Sequence, residues 1–294
     1  MSIEKTTLHP ENNPDIDLYP KTSVDQVEGL TNNSNVKNGS GIGSIETNYE
    51  PDNYGSFNEY CVALGYICEA RGIYSVAMGK ASKAYSGTCF AFGAESTAGN
   101  INSPDEQMGC IAMGQVAKAN GRGATAFGYN TTSTGNGSFV CGEQSYATAE
   151  CTVAMGHSNN NSGARSMVVG SENINQGTNS YVMGHANKCY ANNSLIVGYN
   201  NLVNTTFSYL LGSNLQSDYA NKLVCGYWNS NKSATLFEVG NGSQYARSNA
   251  FEVTTSGIAR AYGTPNGEYD VIRKRELDAL RQELVAMINA LKQG

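Results

Sequence analysis

The side chains that could do chemistry are few and scattered. The chain has three histidines, His9, His157 and His185, and eight cysteines, Cys61, Cys68, Cys89, Cys110, Cys141, Cys151, Cys189 and Cys225. No two cysteines form a CxxC pair, so zinc ligation is not indicated and free thiols serving as small apolar fillers are expected. His157 and His185 each follow a glycine of a repeat, two repeats apart with Ser171 between them. That is about 9–10 Å in a stacked sheet, too far for one metal ion. Glu143, Glu150 and Glu172 occupy different places in the repeat, so they do not form the in-register carboxylate pair of a glycoside hydrolase. Neither a nucleophile elbow nor a phosphate loop occurs. The sequence therefore predicts a protein that is not an enzyme and holds no cofactor or metal.

The position just after the repeat glycine is the most varied, with Tyr66, Tyr129, Tyr199 and Tyr227 amid Lys80, Gln115 and Glu143. Such variety marks a solvent-facing column. Tyr129, His157, His185, Tyr199, Tyr227 and the neighbouring Trp228 are the candidate contacts for a glycan or protein surface, through ring stacking and polar edges. Ordinary solvated turn residues would give the same pattern.

The element that must position this column is a repeat. Glycine closes a strand-like tripeptide at Gly65, Gly79, Gly93, Gly114, Gly128, Gly142, Gly156, Gly170, Gly184, Gly198, Gly212, Gly226 and Gly240. Each step is 14 residues except Gly93 to Gly114, which is 21 and holds seven extra residues around Asn102, Ser103, Pro104 and Asp105. Secondary glycines at Gly72, Gly121, Gly135, Gly163 and Gly177 halve the period, so each coil should carry two short strands and two turns. The predicted fold class is all-β: a parallel β-roll or β-solenoid of 14-residue coils. About 13 coils at roughly 4.8 Å each make a rod on the order of 60 Å long. Asn159, Asn173, Asn187 and Asn201 share one position in four consecutive coils, where amides can hydrogen-bond along the axis.

Strand side chains alternate, so the flanking columns predict the faces. One and three residues before each glycine stand mostly large apolar residues, such as Val62 and Leu64, Val76 and Met78, or Leu195 and Val197. These are assigned to the interior. Between them run Ala63, Ala77, Ala91, Ala112, Ala126, Val140, Ala154, Val168, Val182, Ile196, Leu210 and Val224, assigned to an outer apolar face. An outer apolar face needs a cover, and copies of the same rod around an axis supply it, so this column is the expected subunit interface. A lid from elsewhere in the chain is the alternative, although the remaining segments are short and polar.

The ends differ from the rod. The predicted segments are an extended attachment arm (1–50), the roll (51–245), a β-rich terminator (246–269) and a coiled coil (270–294). In the last, Leu277, Leu280, Leu284, Met287 and Leu291 alternate at steps of three and four, a heptad seam that extends the expected interface of a homotrimer. The arm shows one helical turn near Ser23–Glu28. With 33 glycines but 6 prolines the chain is not collagen-like, and a net charge of -6 without a basic block argues against nucleic acid. The N-terminus MSIEKTTLHPENNPDIDLYP lacks a secretory pattern and no long apolar run occurs, so no membrane insertion is expected.

The units SVAMGKASKAYSG, CIAMGQVAKANG and CTVAMGHSNNNSG closely resemble the head repeats of YadA-type trimeric autotransporter adhesins, over about residues 57–245. The resemblance implies a left-handed parallel β-roll in an intertwined trimer that binds surfaces. Later coils depart from it, with Val, Ile and Leu replacing alanine and asparagine entering the second half. The arm DIDLYPKTSVDQVEGL and the tail segments FEVGNG, RSNAFEV and KRELDAL look like pieces of phage and prophage tail-fibre or baseplate-associated proteins. Together the resemblances imply a virion fibre assembled in the host cytoplasm. Its arm would dock on a tail, baseplate or other virion protein, and its rod on a host cell-surface glycan or protein. A structural spacer, a capsid-decorating fibre and a bacterial adhesin head are the alternatives.

Overall fold

The computed structural model describes residues 37–38, 45–47, 55–102, 108–263 and 274–292. It is a parallel β-solenoid of 14-residue coils followed by one helix. Each coil contributes a five- to seven-residue strand, from Val62–Tyr66 through to Thr235–Asn241, and most add a two-residue strand, from Glu69–Ala70 to Gln216–Ser217. Long strands stack on long strands and short on short, giving sheets of 17 and 12 strands. Register follows the period: Gly65 lies on Gly79, and Gly142 on Gly156. Where the step is 21 residues the register survives, with Phe90 on Ile111 and Gly93 on Gly114, so the extra residues loop out of the rod. Part of that loop, 103–107, lies outside the described residues.

The glycine period has a steric cause. At Gly142 φ is 129° and a Cβ would lie 2.0 Å from the carbonyl oxygen of Gly156 in the next coil. Every main glycine up to Gly212 meets the next one's backbone in this way, so a side chain at any of them would collide with the next coil. Two turn residues per coil also adopt the left-handed conformation, among them Asn200 and Asn214, but also Ile67 and Val116, where a branched side chain is strained.

The faces are exchanged relative to the sequence expectation. The column from Ala63 through Val224, expected at a subunit interface, is 0% exposed within the single chain and forms the solenoid interior. Ala63, Ala77, Ala91, Ala112, Ala126, Val140, Ala154, Val168, Val182, Ile196, Leu210 and Val224 therefore cannot touch a second copy. The reason is the thinness of a 14-residue coil. Four side chains per coil point inward, and in the Gly79 coil they are Ser75, Ala77, Ser82 and Ala84, all buried. Two sheets this close admit small residues, whereas Val62, Leu64, Val76 and Met78 must point outward. Later coils hold larger fillers, with Ile196 beside Val203 and Leu210 beside Leu215 in one buried cluster.

Most inward polar residues are hydrogen-bonded, as burial requires, the Thr131 hydroxyl being an exception. In most coils the residue three after the main glycine holds the carbonyl of the next one, as where Ser82 Oγ donates to Gly93 O at 2.9 Å and Ser145 Oγ to Gly156 O at 3.1 Å; Ala117 and Leu215 carry no donor at this place. From Asn159 to Asn201 an amide does this and also links coils. Asn173, Asn187 and Asn201 each donate from Nδ2 to the preceding asparagine's Oδ1 at 3.0 Å, which accepts a backbone N–H as well. This is the expected asparagine ladder.

The C-terminal end of the rod is closed by polar groups. Beyond Gln216–Ser217 the side-chain amide of Asn229 takes the place of a strand, accepting from Gln216 N at 2.8 Å and donating to Gln216 O at 3.0 Å. Lys222 and Glu238, both fully buried, pair at 2.7 Å, and Asn229 Nδ2 donates to the other carboxylate oxygen at 2.6 Å. The long sheet then reverses into the antiparallel strands Asn249–Thr254 and Ala259–Ala261.

At the front, Lys37–Asn38 and Ile45–Thr47 pair antiparallel, and Ile45–Thr47 pairs parallel with the first long strand, so the sheet begins inside the segment assigned to the arm. The rest of the arm, including the turn near Ser23–Glu28, lies outside the described residues.

Candidate functional surface

Three outward columns run along the long sheet, set by the pleat: the two large apolar ones before the glycine and the varied one after it. In the varied column the pairings place Tyr129 on Glu143, Glu143 on His157, His157 on Ser171, Ser171 on His185, His185 on Tyr199, Tyr199 on Ser213 and Ser213 on Tyr227. Five of the six candidate residues thus share one line. The tyrosines at 129, 199 and 227 are about half exposed, and His185 stacks on Tyr199 with ring centres 5.4 Å apart and planes 15° from parallel. A flat imidazole–phenol platform of this kind suits the apolar face of a sugar or an aromatic side chain.

Trp228 departs from this line. It occupies the left-handed turn position next to the column, half-buried, with the Arg247 guanidinium 5.1 Å above its ring. Arg247 Nη1 donates to the carbonyls of Asn214 at 3.0 Å and Asn229 at 3.4 Å. The indole is a seat for the terminal hairpin. Burial pulls the Arg247 guanidinium below its usual value, with the Asp218 carboxylate opposing that.

The apolar columns are the larger surface. Phe90, Met113, Met155, Leu211 and Leu223 are exposed, and between them Leu64, Met78, Phe92, Val169 and Val197 are half-exposed. An apolar stripe therefore follows the rod through every coil, larger than the scattered apolar residues of ordinary surfaces. The helix Lys274–Leu291 continues the theme: Leu277, Leu280, Leu284, Met287 and Leu291 are all exposed, with Leu291 83% accessible.

Sequence reasoning missed a cluster on the outer face of the short strands. Arg71 lies between the rings of Phe57 (5.1 Å) and Tyr85 (5.9 Å), and Lys83 also faces Tyr85. Both cations pair with the buried Glu69 carboxylate, Lys83 at 3.8 Å. Its signal was present as alternating aromatic and charged residues at spacings of 14, at Phe57, Arg71 and Tyr85.

Among the described residues no helix is long and apolar enough to cross a membrane, and no three His, Cys, Asp or Glu residues gather where they could hold a metal ion. Comparison with protein-family models and with curated proteins finds no match to this chain.

Proposed function

We propose that the chain is the subunit of a homotrimeric fibre whose rod displays the aromatic column to a host cell surface, as part of a phage or phage-tail-like particle. The observation that carries this reading is the outward apolar stripe on the long sheet, continuous over the coils and matched by the exposed helix seam. Water does not favour an apolar face of this length, and at about 25 cal/mol per Å² its burial is a strong drive to associate. A second and third copy are the simplest cover. Their stripes repeat every coil in the same way, and a parallel three-helix seam sets the same symmetry at the end of the rod.

The YadA-like repeat, with its left-handed roll, and the fibre-like end segments support the finer assignment. They supply the docking arm, the tail or baseplate partner and the virion location, with no membrane insertion, nucleic acid, cofactor or catalysis in the scheme. The varied column borders the apolar stripe, so it runs along the rim of the trimer face and stays open to solvent. Replacing both Tyr199 and Tyr227 by alanine should lower adsorption of particles carrying the fibre at least about tenfold, since two stacking contacts contribute roughly 1 kcal/mol each. Unchanged adsorption would remove the column as the contact surface.

A further inference from the structure

Of the eight cysteines, two stand in register in adjacent coils. Cys89 and Cys110 each lie four residues before a main glycine, and the strands that follow them pair Phe90 with Ile111. Both side chains are buried in the solenoid interior. The Cys110 N–H donates to Cys89 Sγ at 3.4 Å, while Cys110 Sγ donates to Gly121 O at 3.0 Å. In the same column Cys61 is followed by Ser75, and Cys110 by Ala124, so no other thiol is stacked on its like. Neighbouring strands are about 4.8 Å apart, within the roughly 4.4–6.8 Å between Cα atoms that a disulfide spans.

The pair also sits at the irregular step of the rod. Between these two residues the chain leaves after Thr97–Ala98, makes the extra loop, and returns at Met108, whose N–H donates to Gly87 O at 3.1 Å. A bond between the two sulfurs would close that loop at its base.

We propose that Cys89 and Cys110 are a disulfide-forming pair that staples the two coils on either side of the insertion. The oxidant is a small-molecule disulfide. The Cys89 thiolate attacks it and releases one reduced thiol, then the Cys110 thiolate attacks the Cys89 sulfur of the mixed disulfide and releases the second. Two S–H bonds are lost, one S–S bond forms, and the oxidant's own S–S bond is reduced to two thiols. Because both sulfurs are enclosed in the finished rod, the exchange belongs to folding, before the coils close over them.

The test is to refold the full chain in oxidised and reduced glutathione, alkylate remaining free thiols in denaturant, and map the peptides. The expected result is a Cys89–Cys110 linked peptide with the other six cysteines alkylated, and a melting temperature several degrees above that of a Cys110→Ser chain treated identically. Serine holds the same inward place at Ser75, Ser138 and Ser166, so this variant should keep the fold. Alkylation of both Cys89 and Cys110, or linkage of either to a different cysteine, would overturn the proposal. The link is within one chain, so its outcome is independent of the trimer.

Discussion

Asn187 shows how much one side chain does in a rod of stacked coils. Its Nδ2 donates to Asn173 Oδ1 and Gly198 O, and its Oδ1 accepts from both the backbone and the side chain of Asn201. Asn187→Ala would leave the buried Asn201 N–H without its acceptor and strip Gly198 O and Asn173 Oδ1 of a side-chain donor, at a cost of roughly 2–4 kcal/mol in chemical denaturation. The opposite case is Val116, a β-branched residue at φ 58°. The equivalent turn position holds Asn130, Asn200 and Asn214 elsewhere. Val116→Asn should therefore stabilise the protein by about 1 kcal/mol in the same assay, because asparagine tolerates the left-handed region.

Among the elements, the C-terminal closure is the most sensitive to conditions. Burial alone would raise the Glu252 carboxyl, but hydrogen bonds from Lys232, Tyr262 and Arg260 outweigh it and hold the group at about 2. Burial likewise opposes, and hydrogen bonds from Asn229, Lys222 and Thr235 overcome it, to depress Glu238. An unfolded glutamate titrates near 4.3, so both groups contribute stability that is complete above about pH 5 and declines as pH falls through their depressed folded values, for Glu252 toward about 2. Hydrogen exchange of strands Thr235–Asn241 and Asn249–Thr254 should accelerate over that window, ahead of the central coils, and a Glu252→Gln chain should show a smaller acid dependence. Little of this closure was visible in the sequence. Glu238 reads as a polar break in an apolar column, and only the fold brings Lys222 and Asn229 to it.

For the whole molecule, the period and the in-register stacking were legible because a glycine with no room for a Cβ recurs at a fixed step and tolerates no substitute. The faces were misread for an equally physical reason. Size and apolarity point Leu64 and Met78 toward the core, whereas their coils are thin enough to admit only small side chains such as Ala63 and Ala77 inside. In the first half of the rod the smallness of all four inward columns, from Ala63 and Cys68 to Ser145 and Ala147, carries the signal for which face is inside. Correcting the faces moves the proposed trimer interface from the alanine column to the large apolar residues and leaves the helix seam in place. Light scattering on the purified chain at micromolar concentration tests this most directly. The account predicts a particle of three times 31.3 kDa, and a combined Met113→Lys, Leu211→Lys and Leu223→Lys chain that keeps its β-sheet circular dichroism but loses that association. A wild-type chain that scatters as a monomer would contradict it.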